Sequence, residues 1–211
     1  GNFSGTKRLE VFHDSVQELT DLGETNTRDP KTLADFISWG RKKFPAKRTG
    51  IIFWDHGNGW AGYGGDESHD DDLLTLPEID EALRLGGGRF DLIGFDCCEM
   101  ATLEVMSACR PYGRVFVASE EIVPEQGWNY EDWLEALAKN PTMTPENLGR
   151  LICKTYQEYF EHHQDEEIRD EGQWITMSAI DLDKVPAILN ALNGLSSRWT
   201  SQIKMKWLEM A

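Results

Sequence analysis

Basic side chains are scarce in this sequence: 21 Lys and Arg stand against 37 Asp and Glu in 211 residues, a formal net charge of −16. A nucleic acid or an anionic membrane attracts a basic surface, so the charge argues against both partners and favours encounter with basic peptides. Long hydrophobic runs are also missing, since no stretch approaches the roughly 18 consecutive apolar residues of a membrane span. Gly1 to Arg8 lacks the apolar centre of a signal peptide, so no signal peptide is expected in this chain.

Cysteines are few, and their spacing excludes two classes of site. The four are Cys97, Cys98, Cys109 and Cys153, and they contain no paired Cys-x-x-Cys units of a zinc site. A disulfide between the adjacent Cys97 and Cys98 would be strained. Cys109 and Cys153 lie in helical patterns, where a cysteine is usually a small buried apolar residue. Neither a disulfide framework nor a structural metal is expected from them.

Strand and helix patterns alternate along the chain, without internal repeats or low-complexity tracts. The predicted strands are Thr6–His13, Gly50–Trp54, Phe90–Asp96, Arg114–Ala118 and Trp174–Ile180. The predicted helices are Lys31–Phe44, Leu76–Leu85 with a Thr75-x-x-Glu78 capping box, Met100–Cys109, Tyr130–Ala138, Pro145–His162, Asp183–Leu195 and Trp199–Met210. Residues 22–30 and 60–72 are interpreted as loops, and residues 161–171 as a solvated loop or helix end. This order predicts an α/β domain with a mostly parallel central sheet.

Two of these strands end on reactive residues. The run GIIFWDHGNGW contains His56, and the run FDLIGFDCCEMA contains Cys98. Parallel strands with one helical crossover between them lie close together, and their carboxyl ends meet at one edge of the sheet. A histidine and a cysteine placed there predict a nucleophilic thiol and its base.

The same segments suggest how the thiol is activated. Cys98 is predicted to lie where a strand passes directly into a helix, and the positive end of the helix dipole favours a thiolate. The backbone N–H groups of Gly57 and Cys98 are candidate donors to the oxyanion of an acyl-transfer intermediate. Cys97 is the weaker candidate for the nucleophile, because neighbouring residues on a turn point in different directions.

Longer motifs make the chain similar to a known family. WDHGNGW, the LTLPEI helix start, FDLIGFDCCEMATLEV and ASEE…GWNY resemble the clostripain-like cysteine peptidases of the caspase-like clan, from about Thr6 to Leu192. The resemblance implies a caspase-like three-layer α/β sandwich, a Cys98–His56 dyad and cleavage of peptide bonds after Arg or Lys. It also implies that Asp96 lines the P1 pocket, and that the protein is bacterial and exported (secreted, periplasmic or on the cell surface).

The chain departs from the family pattern in two positions of the site. Cys97 occupies the place of an alanine. Gln126 stands where relatives carry an acid before Gly-Trp, which leaves one carboxylate fewer for a basic substrate unless Glu125 compensates.

Residues 1–211 are expected to form a single peptidase domain, from which two strand–helix units that relatives carry before the first strand are missing. A sheet without them would expose unpaired edges. They are expected either to come from a second chain or to be absent because Gly1 is an artificial start. Between His56 and Cys98 the only Lys or Arg residues are Arg84 and Arg89, on or beside a helix. The loop from Trp60 to Leu74 has none, so no self-cleavage is expected there.

Further residues are candidates for the substrate groove or a metal. Ser119 and Glu120 either contact substrate or brace the pocket, and Trp60 and Trp128 either line the cleft or cover the core. Four acids of one loop, Asp66, Asp70, Asp71 and Asp72, are candidate ligands of a calcium ion, an oxygen-seeking cation; the alternative is a solvated acidic loop. No cofactor is expected to be required, and calcium is the one candidate.

Three functions therefore compete. The first is a cysteine endopeptidase acting after basic residues. The second is a non-catalytic caspase-like domain that only binds or scaffolds, which the Cys97 and Gln126 departures would favour. The third is a metal-dependent hydrolase that uses the acidic loop and His56, which a chelator would inhibit and a thiol reagent would not.

Overall fold

The computed structural model describes residues 5–163, 165–171 and 174–209. The strands are β1 Thr6–Val11, β2 Val16–Gly23, β3 Gly50–Trp54, β4 Tyr63–Asp66, β5 Asp72–Leu74, β6 Phe90–Asp96, β7 Gly113–Ala118 and β8 Ser178–Asp181. The helices are α1 Pro30–Lys43, α2 Leu76–Gly86, α3 Leu103–Cys109, α4 Tyr130–Lys139, α5 Pro145–His162, α6 Glu166–Glu171 and α7 Val185–Glu209. None of the described helices is both long and apolar enough to cross a membrane.

A four-stranded sheet in the order β3-β6-β7-β8 forms the centre of the molecule. β3, β6 and β7 run parallel, and β8 pairs with β7 in the antiparallel direction. Its inner strands are short apolar runs because both faces of the sheet are covered.

Two hydrophobic clusters lie on opposite faces of this sheet, because successive side chains of a strand point to opposite sides. On one face, Ile93 and Phe95 of β6 pack among residues of α1, α2, α3 and α7. On the other face, Leu92 packs against α4 and α5, where Trp133 and Tyr156 are buried. The three layers confirm the predicted caspase-like α/β sandwich.

Several predicted elements differ in the structure. The first strand is not part of the central sheet, because β1 pairs with β2 in a separate antiparallel hairpin that covers part of the predicted polar loop. The loop over residues 60–72 contains the small β4–β5 hairpin. The last strand, predicted over Trp174–Ile180, spans Ser178–Asp181 and is antiparallel to β7. The two helices predicted after it form one helix, α7, whose described part ends at Glu209. Met210 lies outside the described residues.

Candidate active site

The ends of β3 and β6 bring His56 and Cys98 to the same edge of the sheet. Trp54 and Asp96 are the last residues that pair in this parallel ladder, and His56 and Cys98 each follow two residues later. The backbones beyond the ladder touch, because a Cβ atom on Gly57 would lie 1.9 Å from the carbonyl oxygen of Cys98. The sequence prediction that these two strands are neighbours is confirmed.

Cys98 is half-buried, and its sulfur contacts the backbone of Val123. The Val123 N–H donates to Sγ at 3.4 Å, and the thiol donates to the Val123 carbonyl at 3.8 Å. Val123 follows β7, and no motif in the sequence indicated this contact.

The helix predicted to begin at Met100, directly after the turn at Cys98, begins later. α3 begins at Leu103, with Thr102 as its N-cap. Glu99 has a positive φ of 58°, and its N–H donates to the carbonyl of Glu121, while the Ala101 N–H donates to that of Ser119. The turn between Cys98 and α3 is thus bonded to the segment after β7 and is not part of a helix.

His56 is exposed at the sheet edge, and its backbone is held on both sides. Its N–H donates to Asp55 Oδ1 at 2.6 Å, and its carbonyl accepts from the Gly64 N–H at 2.7 Å. Gly57 forms an antiparallel bridge with Tyr63 whose hydrogen bonds use the N–H groups of Asn58 and Gly64. The bridge therefore leaves the N–H of Gly57 for another acceptor.

Asp96 is a buried carboxylate beside the thiol, only 3% exposed. Its Oδ2 accepts the Trp128 N–H at 3.1 Å and the Tyr130 hydroxyl at 2.9 Å, while its Oδ1 is buried without a partner. Burial raises the pKa of Asp96 above its ordinary value, and the two hydrogen bonds oppose that rise. Gly127, at φ +63°, lies so close that a Cβ there would be 2.8 Å from Oδ2.

Tyr156 of α5 is a second buried polar group near this carboxylate. Its side chain is 1% exposed, and its hydroxyl is buried without a hydrogen-bond partner. Burial raises its pKa, and the nearby charges of Asp96 and Cys98 raise it further. The helical pattern alone gave no sign that this tyrosine faces the site, because core tyrosines share that pattern.

Cys97 is buried on the opposite face of the sheet, 2% exposed. Burial, and after it the charge of Asp96, raises the pKa of this thiol well above its ordinary range. Cys97 therefore stays protonated at neutral pH, and Cys98 is the more accessible of the two thiols.

The model of the Clostripain family (Peptidase_C11) matches residues 4–210. The chain belongs to this family. No curated protein matches it.

Solved structures support the same fold. A secreted C11 cysteine protease from Bacteroides thetaiotaomicron, in complex with an irreversible peptide inhibitor, has a TM-score of 0.72 and 24% identity over 89% of this chain and 56% of its own. A further structure from this organism, described as the secreted C11 cysteine protease iotapain, has a TM-score of 0.71 and 14% identity over 87% of this chain and 53% of its own. An inactive zymogen C11 protease from Parabacteroides distasonis has a TM-score of 0.64 and 20% identity over 85% of this chain and 48% of its own. The chain thus spans about half the length of these proteins.

The remaining groove residues of this Clostripain-family chain separate into buried and exposed groups. Ser119 is fully buried, and its hydroxyl contacts the carbonyl of Glu121 and the hydroxyl of Thr176, which is a bracing position. Glu120 and Gln126 are exposed. Trp128 and Trp60 also differ. Trp128 is buried, 3% exposed, with its ring over Gly94 and its Nε1 without a partner, whereas Trp60 is 73% exposed.

The acidic loop does not bring the four predicted metal ligands together. Among the described residues, the one group with ligand atoms within 4.8 Å of one another is Glu24, Asp66 and His69. Burial alone would raise the pKa of Asp66, but hydrogen bonds from Thr27 and His69 lower it to about 2.

Asp70 and Asp71 are exposed at the tip of the β4–β5 hairpin, and Asp72 accepts from the side chain of Asn26. The oxygens of Asp66 already accept hydrogen bonds, and a histidine nitrogen is a poor ligand for calcium. The arrangement therefore does not fit the six to eight oxygens that calcium takes.

Proposed function

We propose that this protein is a cysteine endopeptidase in which Cys98 is the nucleophile and His56 the general base and acid. The observation that carries the proposal is the contact of Gly57 with Cys98 at the carboxyl ends of two parallel strands. This contact places His56, the exposed histidine after β3, and Cys98, the accessible thiol after β6, at the same edge of the sheet. Membership of the Clostripain family supports the same chemistry.

The reaction follows from these positions. The Cys98 thiolate attacks the scissile carbonyl carbon, forming a C–S bond, and the oxyanion accepts from the N–H groups of Gly57 and Cys98. His56, which holds the thiol proton, donates it to the leaving amine as the C–N bond breaks. Water then attacks the thioester while His56 takes its proton, and the acid product leaves as the thiol is restored.

We propose a basic P1 residue because Asp96, two residues before the Cys98 thiol in the sequence, has an unsatisfied buried acceptor. Asp96 Oδ1 has no partner and lies away from solvent, which is costly unless a cation arrives. An arginine or lysine side chain of the substrate supplies that cation through charge-assisted hydrogen bonds. The free hydroxyl of Tyr156 is a second acceptor on the same side of the sheet. Gln126, where relatives have an acid, weakens the preference for basic residues.

The open edge of β3 is the proposed place of a further segment, either from a second chain or from the same protein. Among the described strands β3 pairs only with β6. Two grooves flank it: one of about 260 Å³ beside the β1–β2 hairpin and α1, and one of about 440 Å³ beside α4 and α5. An uncovered edge with apolar flanks favours the addition of a strand.

Three further points concern export, calcium and self-cleavage. Export from the cell is proposed because the similar protease from Bacteroides thetaiotaomicron is described as secreted. Dependence on calcium stays a prediction, and no step of the reaction above passes through a metal. Self-cleavage in the β4–β5 hairpin is not expected, since residues 60–74 contain neither Lys nor Arg.

The test is a panel of fluorogenic peptides with Arg, Lys, Gln, Asp or Leu at P1. We expect cleavage after Arg and Lys, abolished in Cys98→Ala and retained in Cys97→Ala, the matched control at the neighbouring buried thiol. The panel is run in reducing buffer with and without calcium, with a chelator and with a thiol reagent. Turnover that survives in Cys98→Ala, or that the chelator stops and the thiol reagent does not, would contradict the proposal. A folded protein that binds peptides without cleaving any would support a scaffold role instead.

A further inference from the structure

Arg28 is a buried arginine that lies next to the His56 loop although it is distant in sequence. It is 7% exposed and precedes α1. Its Nη2 forms an ion pair with Asp55 Oδ2 and donates to the carbonyl of Gly65 at 3.3 Å. Its guanidinium lies over the ring of Tyr63, 4.9 Å from the ring centroid. Charge, hydrogen bonding and ring contact thus fix the guanidinium in one place.

The carboxylate of Asp55 connects Arg28 to His56. One oxygen binds the guanidinium, and the other accepts the backbone N–H of His56 at 2.6 Å. The ladder between β3 and β6 ends at Trp54, so β6 does not hold the backbone of His56. Its N–H is held by Asp55 and its carbonyl by the Gly64 N–H.

Gly64 shows that the loop is built around the guanidinium. A Cβ atom there would lie 2.2 Å from Arg28 Cζ, and the residue has a positive φ of 77° that favours glycine. The residue that holds the carbonyl of His56 therefore also packs directly against Arg28. Both backbone contacts of His56 depend on where the arginine lies.

We infer that Arg28 is a positioning residue for His56, acting through the carboxylate of Asp55. The inference rests on the proposed function, in which His56 exchanges a proton with Cys98. The ion pair holds Asp55 in the orientation that accepts the His56 N–H, and it compensates the negative charge of that carboxylate. Without the guanidinium the carboxylate turns to solvent, the His56 backbone loses that contact, and the imidazole no longer keeps its distance from the thiol.

Arg28→Met tests this, with Arg8→Met as the matched control. Arg8 is a second buried arginine on the same side, 9% exposed, paired with Asp35 and lying over the ring of Trp39, with no described contact to the His56 loop. Both variants remove a buried guanidinium from an ion pair and a ring. In the natural protein we expect kcat for a peptide with Arg at P1 to fall at least tenfold in Arg28→Met. KM should stay within about twofold of the wild-type value, because the proposed P1 contact, Asp96, lies on β6 and not beside Arg28. Arg28→Lys should recover part of the loss.

A second readout does not need a substrate. The rate at which iodoacetamide alkylates Cys98, followed by mass spectrometry, depends on the thiolate that His56 supports. The quantity compared is the alkylation rate near pH 6.5 divided by the rate near pH 9. In Arg28→Met we expect this ratio to fall at least about fivefold below the wild-type ratio, and in Arg8→Met we expect it to stay unchanged. Asp55→Asn should reproduce the effect, because an amide has an N–H donor where the carboxylate has a second acceptor for the guanidinium. If Arg28→Met does not fold, Asp55→Asn is used in its place.

Equal losses of kcat in Arg28→Met and Arg8→Met, with an unchanged alkylation profile, would overturn the inference while the enzyme remains a peptidase. A rise of KM without a fall of kcat would overturn it as well. If the wild type cleaves no peptide, the proposed function fails. The alkylation profiles of the two variants then decide the role of Arg28 on their own.

Discussion

At the scale of single residues, the site depends on a carboxylate placed where it is poorly solvated. Asp96 has two hydrogen bonds to one oxygen and none to the other. A buried group in this state costs free energy in the empty enzyme and is stabilised when a cation binds. Stability and activity therefore make opposite demands on the same residue.

Asp96→Asn should separate these demands. We expect kcat/KM for Arg and Lys substrates to fall about 30-fold or more, because the substrate cation loses its buried partner. Since the folded-state pKa of Asp96 is raised, the folded protein holds the proton more tightly, and this residue lowers stability as pH rises through that pKa. The variant should therefore melt no lower than wild type at pH 7, and any advantage should vanish below about pH 4.

The exposed Asp14→Asn is the control for loss of one carboxylate, because among the described ion pairs Asp14 pairs only with His13 at the surface. It should leave the activity unchanged. Unaltered Arg cleavage in Asp96→Asn would show that another group recognises P1.

At the scale of elements, the site is set by how closely two strand ends approach. Gly57 has no room for a side chain because the Cys98 carbonyl fills that space. The proposed function takes the N–H groups of these two residues as the donors to the oxyanion. The helix that the sequence places directly after Cys98 begins only at Leu103.

Gly57→Ala is expected to force the two strand ends apart. A displacement of about 1 Å at a reacting centre costs on the order of 100-fold in rate, so we expect at least that loss in kcat/KM. Gly40→Ala is the control, since a Cβ there would meet no described atom within 4 Å apart from its chain neighbours and the backbone of its own helix. In the interior of α1 the alanine should raise stability by up to about 1 kcal/mol. Circular dichroism establishes folding of both variants, and wild-type activity in Gly57→Ala would contradict the close approach.

At the scale of the whole molecule, the sheet has two edges of different character. β8 ends the sheet as an antiparallel strand, while β3 leaves an edge beside two grooves. Trp54, at the end of β3, is 67% exposed. A central strand has both rows of backbone groups paired, and an edge strand has only one.

Hydrogen exchange of the natural protein distinguishes these states. If a further segment pairs with β3, the amides of Gly50–Trp54 should exchange as slowly as those of β6, whereas β8 serves as the internal reference for an edge strand. We also expect mass spectrometry of the natural protein to identify the polypeptide that supplies the segment. Alternating fast and slow amides along β3, as in β8, would show that the edge is open.

The sequence by itself determined the strands that carry the chemistry and the residues at their ends. β3, β6 and α5 have the predicted bounds because each is a strong local pattern with a clear start and end. The prediction of neighbouring strands for His56 and Cys98 also held, since one helical crossover leaves few arrangements. Cys98 could be preferred over Cys97 from motif alone.

Only the tertiary structure decided how these residues are surrounded. The antiparallel direction of β8, the separate β1–β2 hairpin and the late start of α3 depend on contacts between segments distant in sequence, which local periodicity does not contain. The same holds for Arg28 beside Asp55 and for Val123 at the Cys98 sulfur, which reach the site from other parts of the chain. A motif identifies the candidate reactive residues, while long-range packing places the residues around them.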